Sequence, residues 1–265
     1  MASPLTGVSQ AWSQVAEEYQ RHIVPGFLPA ARTLCESIGI RRGDIVLDVA
    51  CGPGTAAFVA EEIGAALVMG IDFARSMVFL AQRRRRNRET AQFAVGDASA
   101  LPFASQRFDA VVSSFGLIFA PDPVGASAEA ARVLRGQGRL GLLAWDPAGT
   151  VSVYQRTAFQ YLEVHSGAHD PFRWGDAVQA RAWLEPFAEV EIFPIEVPFR
   201  ADSATMAWHI LRTAMGRIAA GYAMLDPATQ ARLDADMIEF LDRFRERSGA
   251  IYWPREAVVI RGVRR

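Results

Sequence analysis

The chain has 265 residues, 51% of them hydrophobic, and a net charge of −1; that is ample core for one large α/β domain, with no electrostatic reason to expect nucleic acid or an acidic membrane as partner. All 28 basic residues are arginine, which excludes chemistry that needs a lysine: a P-loop, a Schiff base or a Tyr-x-x-x-Lys dehydrogenase centre. Cys35 and Cys51 make neither a disulfide framework nor a zinc site, so no metal is expected, and the lack of a basic head before an apolar run or of any bilayer-length apolar stretch predicts a cytoplasmic chain without membrane insertion.

In chain order, Trp12, Val15, Ala16 and Tyr19 recur at helical spacing and predict an amphipathic helix over 9–22 with Ser9 as its N-cap. Pro25, Gly26 and Pro29 are expected to break it before a second helix over 27–38. The run 45–49 is apolar and β-branched, as in a buried parallel strand, and Gly52 and Gly54 punctuate it before a helix over 56–63. A strand, a glycine turn and a helix in that order open the backbone to a nucleotide-like ligand, with helix amides at its far side. Gly52-x-Gly54-x-x-Ala57 also fits the loose dinucleotide pattern, but Asp48 at the strand end suits a cationic ligand better than a pyrophosphate.

A second strand over 66–71 ends in Asp72, 18 residues after Gly54, near the distance at which a strand-end carboxylate in a doubly wound sheet meets a ribose. Arg83 to Arg86 with Arg88 form the strongest charge run and read as the solvated end of a helix. A third strand covers 92–95 and leads into Gly96-Asp97-Ala98; a fourth covers 108–114, and a helix over 126–134 precedes a fifth at 139–145. Ligands gather at the carboxyl ends of such strands, which brings Asp48, Asp72, Asp97, Ser114 and Trp145 to one edge.

Beyond Asp146 the pattern changes. Tyr154, Tyr161, His165, His169 and Trp174 fall on a helix and a loop, and alternation over 190–199 and 251–262 predicts two more strands. Between them one helix spans 204–223, with Trp208, Met215 and Tyr222, and a second is capped by Asp226 with Pro227 in its first turn. The chain reads as a single domain over 1–265. Residues 1–42 supply its leading helices, and 147–175 and 200–249 are insertions forming a lid on the substrate side.

Val46-Leu47-Asp48-Val49-Ala50-Cys51-Gly52-Pro53-Gly54, followed by Gly96-Asp97-Ala98 with Leu101-Pro102-Phe103 and by the link over 132–140, resembles the class I S-adenosylmethionine-dependent methyltransferases, in particular the ubiquinone/menaquinone-biosynthesis type and its small-molecule relatives. Ala50 and Gln137 each stand where a glycine is more usual, and the resemblance runs from Gln10 to about Gly141. It implies a Rossmann-like seven-stranded sheet of order 3-2-1-4-5-7-6, helices on both faces, an antiparallel last strand and a helical lid. It implies S-adenosyl-L-methionine as cofactor, held by Tyr19 on a helix folded over it, by Asp48, Ala50, Gly52 and Gly54 at the turn, by Asp72, Phe73 and Met77 around the ribose, by Asp97 and Ala98 at the adenine, and by Ser114 and Phe115.

The reaction implied is methyl transfer to an O, N or C atom of a small molecule, such as a phenol, quinone or heterocycle, with Phe119, Trp145, Trp174, Trp208 and His209 on the substrate side. No Asn/Asp-Pro-Pro-aromatic signature follows the fourth strand, so base methylation is not expected. The alternatives are a scaffold or cyclase of the same fold that does not transfer methyl, and, more weakly, an NAD-dependent oxidoreductase. Candidate general bases are His209, Asp146 and His22, with Tyr19, His165 and His169 behind them, and none is assigned. A homodimer is compatible with the sequence.

Overall fold

The computed structural model describes residues 5–85, 88–162 and 170–265. The continuous apolar run Ile45–Val49 forms β1, buried along almost its whole length, as a strand covered on both faces must be. Parallel neighbours flank it, β2 (Leu67–Asp72) on one side and β4 (Phe108–Ser114) on the other. Outside these lie β3 (Ala91–Val95) and β5 (Leu134–Trp145), again parallel. The sheet then reverses: β7 (Ile251–Arg264) runs antiparallel between β5 and the edge strand β6 (Phe187–Ala201), giving seven strands in the order β3-β2-β1-β4-β5-β7-β6. Order and direction are those the resemblance implied. Pro194 and Pro198 are tolerated in β6 because only one of its sides carries a ladder.

The leading helices differ from expectation at their ends. α1 (Leu5–His22) starts before Ser9, whose hydroxyl does not cap it but donates across to the Phe73 carbonyl at 3.1 Å, tying the helix to the end of β2. α2 (Val24–Ser37) follows after a single residue, because Pro25 lies in its first turn, where no amide partner is needed. Pro29 remains inside α2, where it removes only one backbone donor. β5 begins at Leu134 and not near Arg139; Gln137 takes φ 62 inside it, a left-handed kink that glycine would adopt more cheaply, at the irregular join with β4.

α3 (Thr55–Ile63) leads from the glycine turn, and α4 (Arg75–Arg84) from β2. The arginine run that ends α4 is not simply solvated. Arg84 turns inward, donates to the Pro53 carbonyl at 2.6 Å and lies 5.0 Å over the Phe58 ring, while Arg88 pairs with Glu61 at 2.9 Å. Both bind the helix end to the glycine turn and to α3; Arg86 lies outside the described residues.

α5 (Pro123–Val133) precedes β5, and α6 (Thr150–Phe159) and α7 (Ala177–Trp183) lie between β5 and β6. The helix expected over 204–223 is two, α8 (Ala204–Ala214) and α9 (Gly216–Tyr222), because Met215 is extended at φ −99, ψ 105. The break lets the backbone at Gly216 press on α1, where a Cβ would stand 2.9 Å from the Ala11 carbonyl. α10 (Pro227–Asp242), capped by Asp226 as expected, packs on α8 and α6. These helices and α1 cover the carboxyl ends of the parallel strands.

Asp234 of α10 holds this cover together, accepting from the Trp208 indole at 2.6 Å and the Tyr222 hydroxyl at 3.0 Å. Trp208 is buried, so Asp234→Ala leaves its N–H without a partner, a loss of about 1 to 3 kcal/mol. The expected outcome is a lowered thermal midpoint by circular dichroism with ligand affinity at the glycine turn within about twofold, since Asp234 bonds only within the lid; an unchanged midpoint would show that the pair of bonds carries no net stability.

Candidate functional site

The glycine turn bends by left-handed backbone at Ala50 (φ 53), Gly52 (φ 54) and Gly54 (φ 86). Gly52 faces open space, since a Cβ there would meet nothing within 4 Å, so a ligand can lie directly on its backbone. Gly54 serves packing instead: a Cβ there would strike Phe93 at 2.9 Å and Phe58 at 3.0 Å. Ala50, with its methyl group, accepts a conformation that strains any residue but glycine. Such outliers gather where a backbone is shaped for a ligand.

Asp72 fixes the turn from the neighbouring strand. One carboxylate oxygen accepts from the Gly52 amide and the other from the Ala74 amide, each at 2.8 Å, and the side chain lies in the wall of a cavity of about 760 Å³. The same cavity is walled by Ala50 and Gly52, by Phe73 and Met77 beyond β2, and by Ser114 and Phe115 at the end of β4. Tyr19 reaches it from α1 and Phe27 from α2. The Ser114 hydroxyl is buried with no hydrogen-bond partner, a donor and acceptor left for a ligand.

Asp48 is not in this wall. It is fully buried beneath the turn, where one oxygen accepts from the Ala57 amide of α3 at 2.9 Å and the other has no partner. Its contribution is to hold the start of α3 against β1. Asp97 and Ala98 are half-buried just after β3 and are not in this wall either; the Asp97 carboxylate accepts from the Ser99 amide at 2.8 Å.

A line of aromatic rings runs away from the turn: Tyr19 to Phe27 at 6.3 Å, Phe27 to Phe115 at 5.1 Å, and Phe115 stacked on Trp145 at 4.2 Å. Trp12, Phe27, Phe119, Trp145 and Met215 belong at once to the first cavity and to a second, of about 710 Å³, that opens under the lid. Its far wall is Tyr154, Phe159, Phe172 and Trp253, with Arg217 and Arg255.

Phe119 and Trp145, expected on the substrate side, line both spaces; the other three residues named with them line neither. Trp174 is wholly buried against Trp183 at 5.0 Å, because the short turn Pro171–Gly175 presents Phe172 to the cavity in its place. Trp208 is consumed by its bond to Asp234 and by packing on Tyr154 and Tyr222. His209, one step along α8, is exposed, as the helical period dictates for the neighbour of a buried residue.

Of the other base candidates, Tyr19 is in the wall of the first cavity, and His22 and Asp146 are in neither wall. His22 is exposed and pairs with Glu18 at 3.3 Å. Asp146 accepts from the Ala148 amide at 2.8 Å and caps its own turn. His165 and His169 lie outside the described residues. Among the described residues the second cavity has neither a histidine nor a carboxylate in its wall, and no group of histidine, cysteine or acidic side chains could hold a metal. No helix among them is long and apolar enough to cross a membrane.

Arg255, Tyr154 and Trp253 are the wall residues that the motifs passed over. A signal for Arg255 is present, because alternation along β7 puts it on the buried face with Ile251, Trp253 and Ala257. An arginine at an inward strand position needs a reason.

Burial pushes the Asp48 carboxyl up to about 8, opposed by the Ala57 amide and reinforced by Asp72, and pushes Asp72 up to about 6 against the Ala74 and Gly52 amides. An aspartate in an unfolded chain titrates near pH ~4, so between there and about 8 the folded protein holds more protons and becomes less stable as pH rises. The slope is at most about 1.4 kcal/mol per pH unit for each group. Asp48→Asn keeps an oxygen for the Ala57 amide and removes the upper limb: its thermal midpoint without ligand is expected to change less between roughly pH 7 and 9, about one unit either side of the transition near 8, than that of the unsubstituted protein. Equal losses in both would disprove this source of the pH dependence.

A model of the methyltransferase domain family matches residues 47–142, which span the glycine turn through most of β5. Aklanonic acid methyltransferase DauC of a Streptomyces species is 35% identical over 159 residues, 58% of this chain and 69% of that protein. Demethylmenaquinone methyltransferase of Renibacterium salmoninarum is 40% identical over 109 residues, 41% of this chain and 44% of that one. Among solved structures, YcgJ of Bacillus subtilis has the same fold, with a TM-score of 0.63 at 22% identity over 89% of this chain and 99% of that one. The chain spans less than half the length of several curated relatives, 44% for uncharacterised mycobacterial proteins. The match to DauC covers 69% of that protein, and on this ground the chain belongs to the class I S-adenosylmethionine-dependent methyltransferases.

Proposed function

We propose that the protein transfers a methyl group from S-adenosylmethionine to an O, N or C atom of a small, largely apolar metabolite, such as a phenol, quinone or heterocycle, in the cytoplasm. The observation that carries this reading is the pair of cavities joined at Phe27, Phe119 and Trp145: one built on the glycine turn and Asp72, the other aromatic and capped by the lid. The relatives named for aklanonic acid and demethylmenaquinone support a small-molecule acceptor.

The first cavity suits this cofactor. Gly52 leaves the backbone open, Ser114 offers an unused hydroxyl, Asp72 places a carboxylate in the wall, and no arginine stands there to meet a pyrophosphate. Asp72 would hold the ribose hydroxyls, Phe73 and Met77 would pack beside it, Asp97 and Ala98 would receive the adenine, and Tyr19 would close over from α1. Bound there, the cofactor supplies a methyl group on a sulfonium, and its transfer makes one bond to the acceptor atom and leaves the carbon–sulfur electron pair on sulfur.

The protein's own part is to position and to exclude water. Phe115 stacked on Trp145 and the rings of Phe27 and Phe119 line the junction of the cavities, where they would hold an acceptor in line and keep solvent out. Since the exposed His22 and His209 and the self-capping Asp146 are remote in function, no side chain of the described wall is needed to take a proton.

Calorimetry with S-adenosylhomocysteine tests the reading. Asp72→Ala is expected to weaken binding about tenfold or more, because it removes a carboxylate that accepts charge-assisted bonds and also releases the Gly52 amide. Tight binding of NAD with no response to S-adenosylhomocysteine would overturn it. His209→Ala is expected to leave turnover on any acceptor from a panel of phenols, quinones, amines and heterocycles unchanged. If the cofactor binds and nothing in such a panel takes the methyl group, a scaffold or cyclase of the same fold becomes the better account.

A further inference from the structure

Arg255 is 4% exposed on the inward face of β7. Its Nε donates to the Val197 carbonyl at 2.9 Å, and its guanidinium sits among the rings of Phe27 (5.2 Å), Trp145 (5.3 Å), Phe199 (5.4 Å) and Trp253 (5.9 Å). No carboxylate pairs with it, and its two terminal nitrogens have no hydrogen-bond partner among the described residues. A buried cation without a counter-ion is among the costliest arrangements in a folded protein. Aromatic faces offset part of that cost but leave the directional N–H bonds unmade.

A second unsatisfied group faces the same space. The Tyr154 hydroxyl is buried without a partner although the side chain is in the cavity wall with Arg255. The two groups feel each other: burial raises the tyrosine's pKa, and the nearby arginine works against it. Burial lowers that of Arg255 to about 10, which still leaves it charged at neutral pH. Arg217 is also in the wall, but Asp170 acts on its charge, so Arg255 is the cation that the site turns on.

We propose that Arg255 and the Tyr154 hydroxyl form an oxyanion site, and that the acceptor enters this cavity as an organic anion, a carboxylate or an ionised acidic hydroxyl carried on a ring-bearing apolar body. The site deepens the methyl-transfer reading and rests on it for the word acceptor, since Phe27 and Trp145, which both lie against Arg255, also wall the cavity on the glycine turn. An acceptor that arrives ionised has no proton to lose. That accounts for a described wall that offers cations and a hydroxyl donor but no base. The guanidinium also keeps such a group ionised at neutral pH, by favouring its charged form.

The test is binding of 2-naphthoate against its neutral isostere 2-naphthamide, read by quenching of Trp145 and Trp253 fluorescence with the protein saturated in S-adenosylhomocysteine. The unsubstituted protein is expected to bind the carboxylate about tenfold or more tightly than the amide. Arg255→Gln should bring the carboxylate down to the level of the amide and leave the amide unchanged, Arg255→Lys should retain part of the preference, and Tyr154→Phe should weaken the carboxylate alone by about threefold to tenfold. Thermal melts of each variant establish that it is folded. Equal binding of the two probes by the unsubstituted protein, which needs no variant, overturns the proposal. So does failure of either to bind at millimolar concentration, or an equal loss of both in Arg255→Gln. If the carboxylate preference holds and depends on Arg255 while S-adenosylhomocysteine does not bind, the anion site stands and the methyl-transfer reading fails.

Discussion

The bridge made by Asp72 is the constraint on which the site depends. A turn with three left-handed residues has amides pointing in several directions, and a single carboxylate at the end of the adjacent strand collects the one from Gly52 while its second oxygen takes that of Ala74. The Cys51 amide adds a bond to the Ile71 carbonyl at 2.8 Å. The turn and the end of β2 are thereby one rigid unit. Asp48 works from below, holding the Ala57 amide so that α3 begins where the turn ends. Burial raises the cost of ionising both acids, and Asp72 adds to that of Asp48; the amides they hold, which would otherwise be orphaned, work against it.

The cover over this unit comes from distant parts of the chain. α1 is tied to the end of β2 through Ser9 and to α9 through the close approach at Gly216, and α10 binds α8 and α9 through Asp234. The result is a roof made of the N-terminal helix and a late insertion, which share no sequence neighbourhood. Its inner surface is aromatic. Rings bury large areas with few torsions to freeze, so they can line a space without collapsing into it.

The two cavities differ in charge as well as in position. The one on the turn has a carboxylate and no arginine in its wall; the one under the lid has two arginines and, among the described residues, no carboxylate. Between them stand the rings of Trp12, Phe27, Phe119 and Trp145, with Met215. A low-dielectric partition of that kind does not screen charge, and Tyr19 at the first cavity feels both Arg255 and Asp72; the difference lies in which charge each wall presents to its own contents. A cation is therefore favoured on one side and an anion on the other, with the junction at Phe27 and Trp145.

Much of this was legible in the order of residues. The run at β1, the glycine turn and the strand-end acids are local patterns, and a parallel sheet gathers strand ends by its geometry alone, so Asp72, Ser114 and Trp145 could be placed without coordinates. What a helix or strand does with its own period was also readable, including the inward face of β7. The sequence could not say which of two neighbours on α8 would face inward, whether Trp174 or Phe172 would line the cavity, or whether Asp48 would meet a ligand or an amide of α3, because each depends on contacts with segments far along the chain. By itself, then, the sequence determined the strands and the glycine turn, set by short-range propensity and hydrophobic period, while the order of the strands came from the resemblance. Only the tertiary structure decided that Arg255 would be left without a counter-ion beside the unsatisfied Tyr154 hydroxyl, because an ion pair is made or missing according to what the folded chain brings within reach.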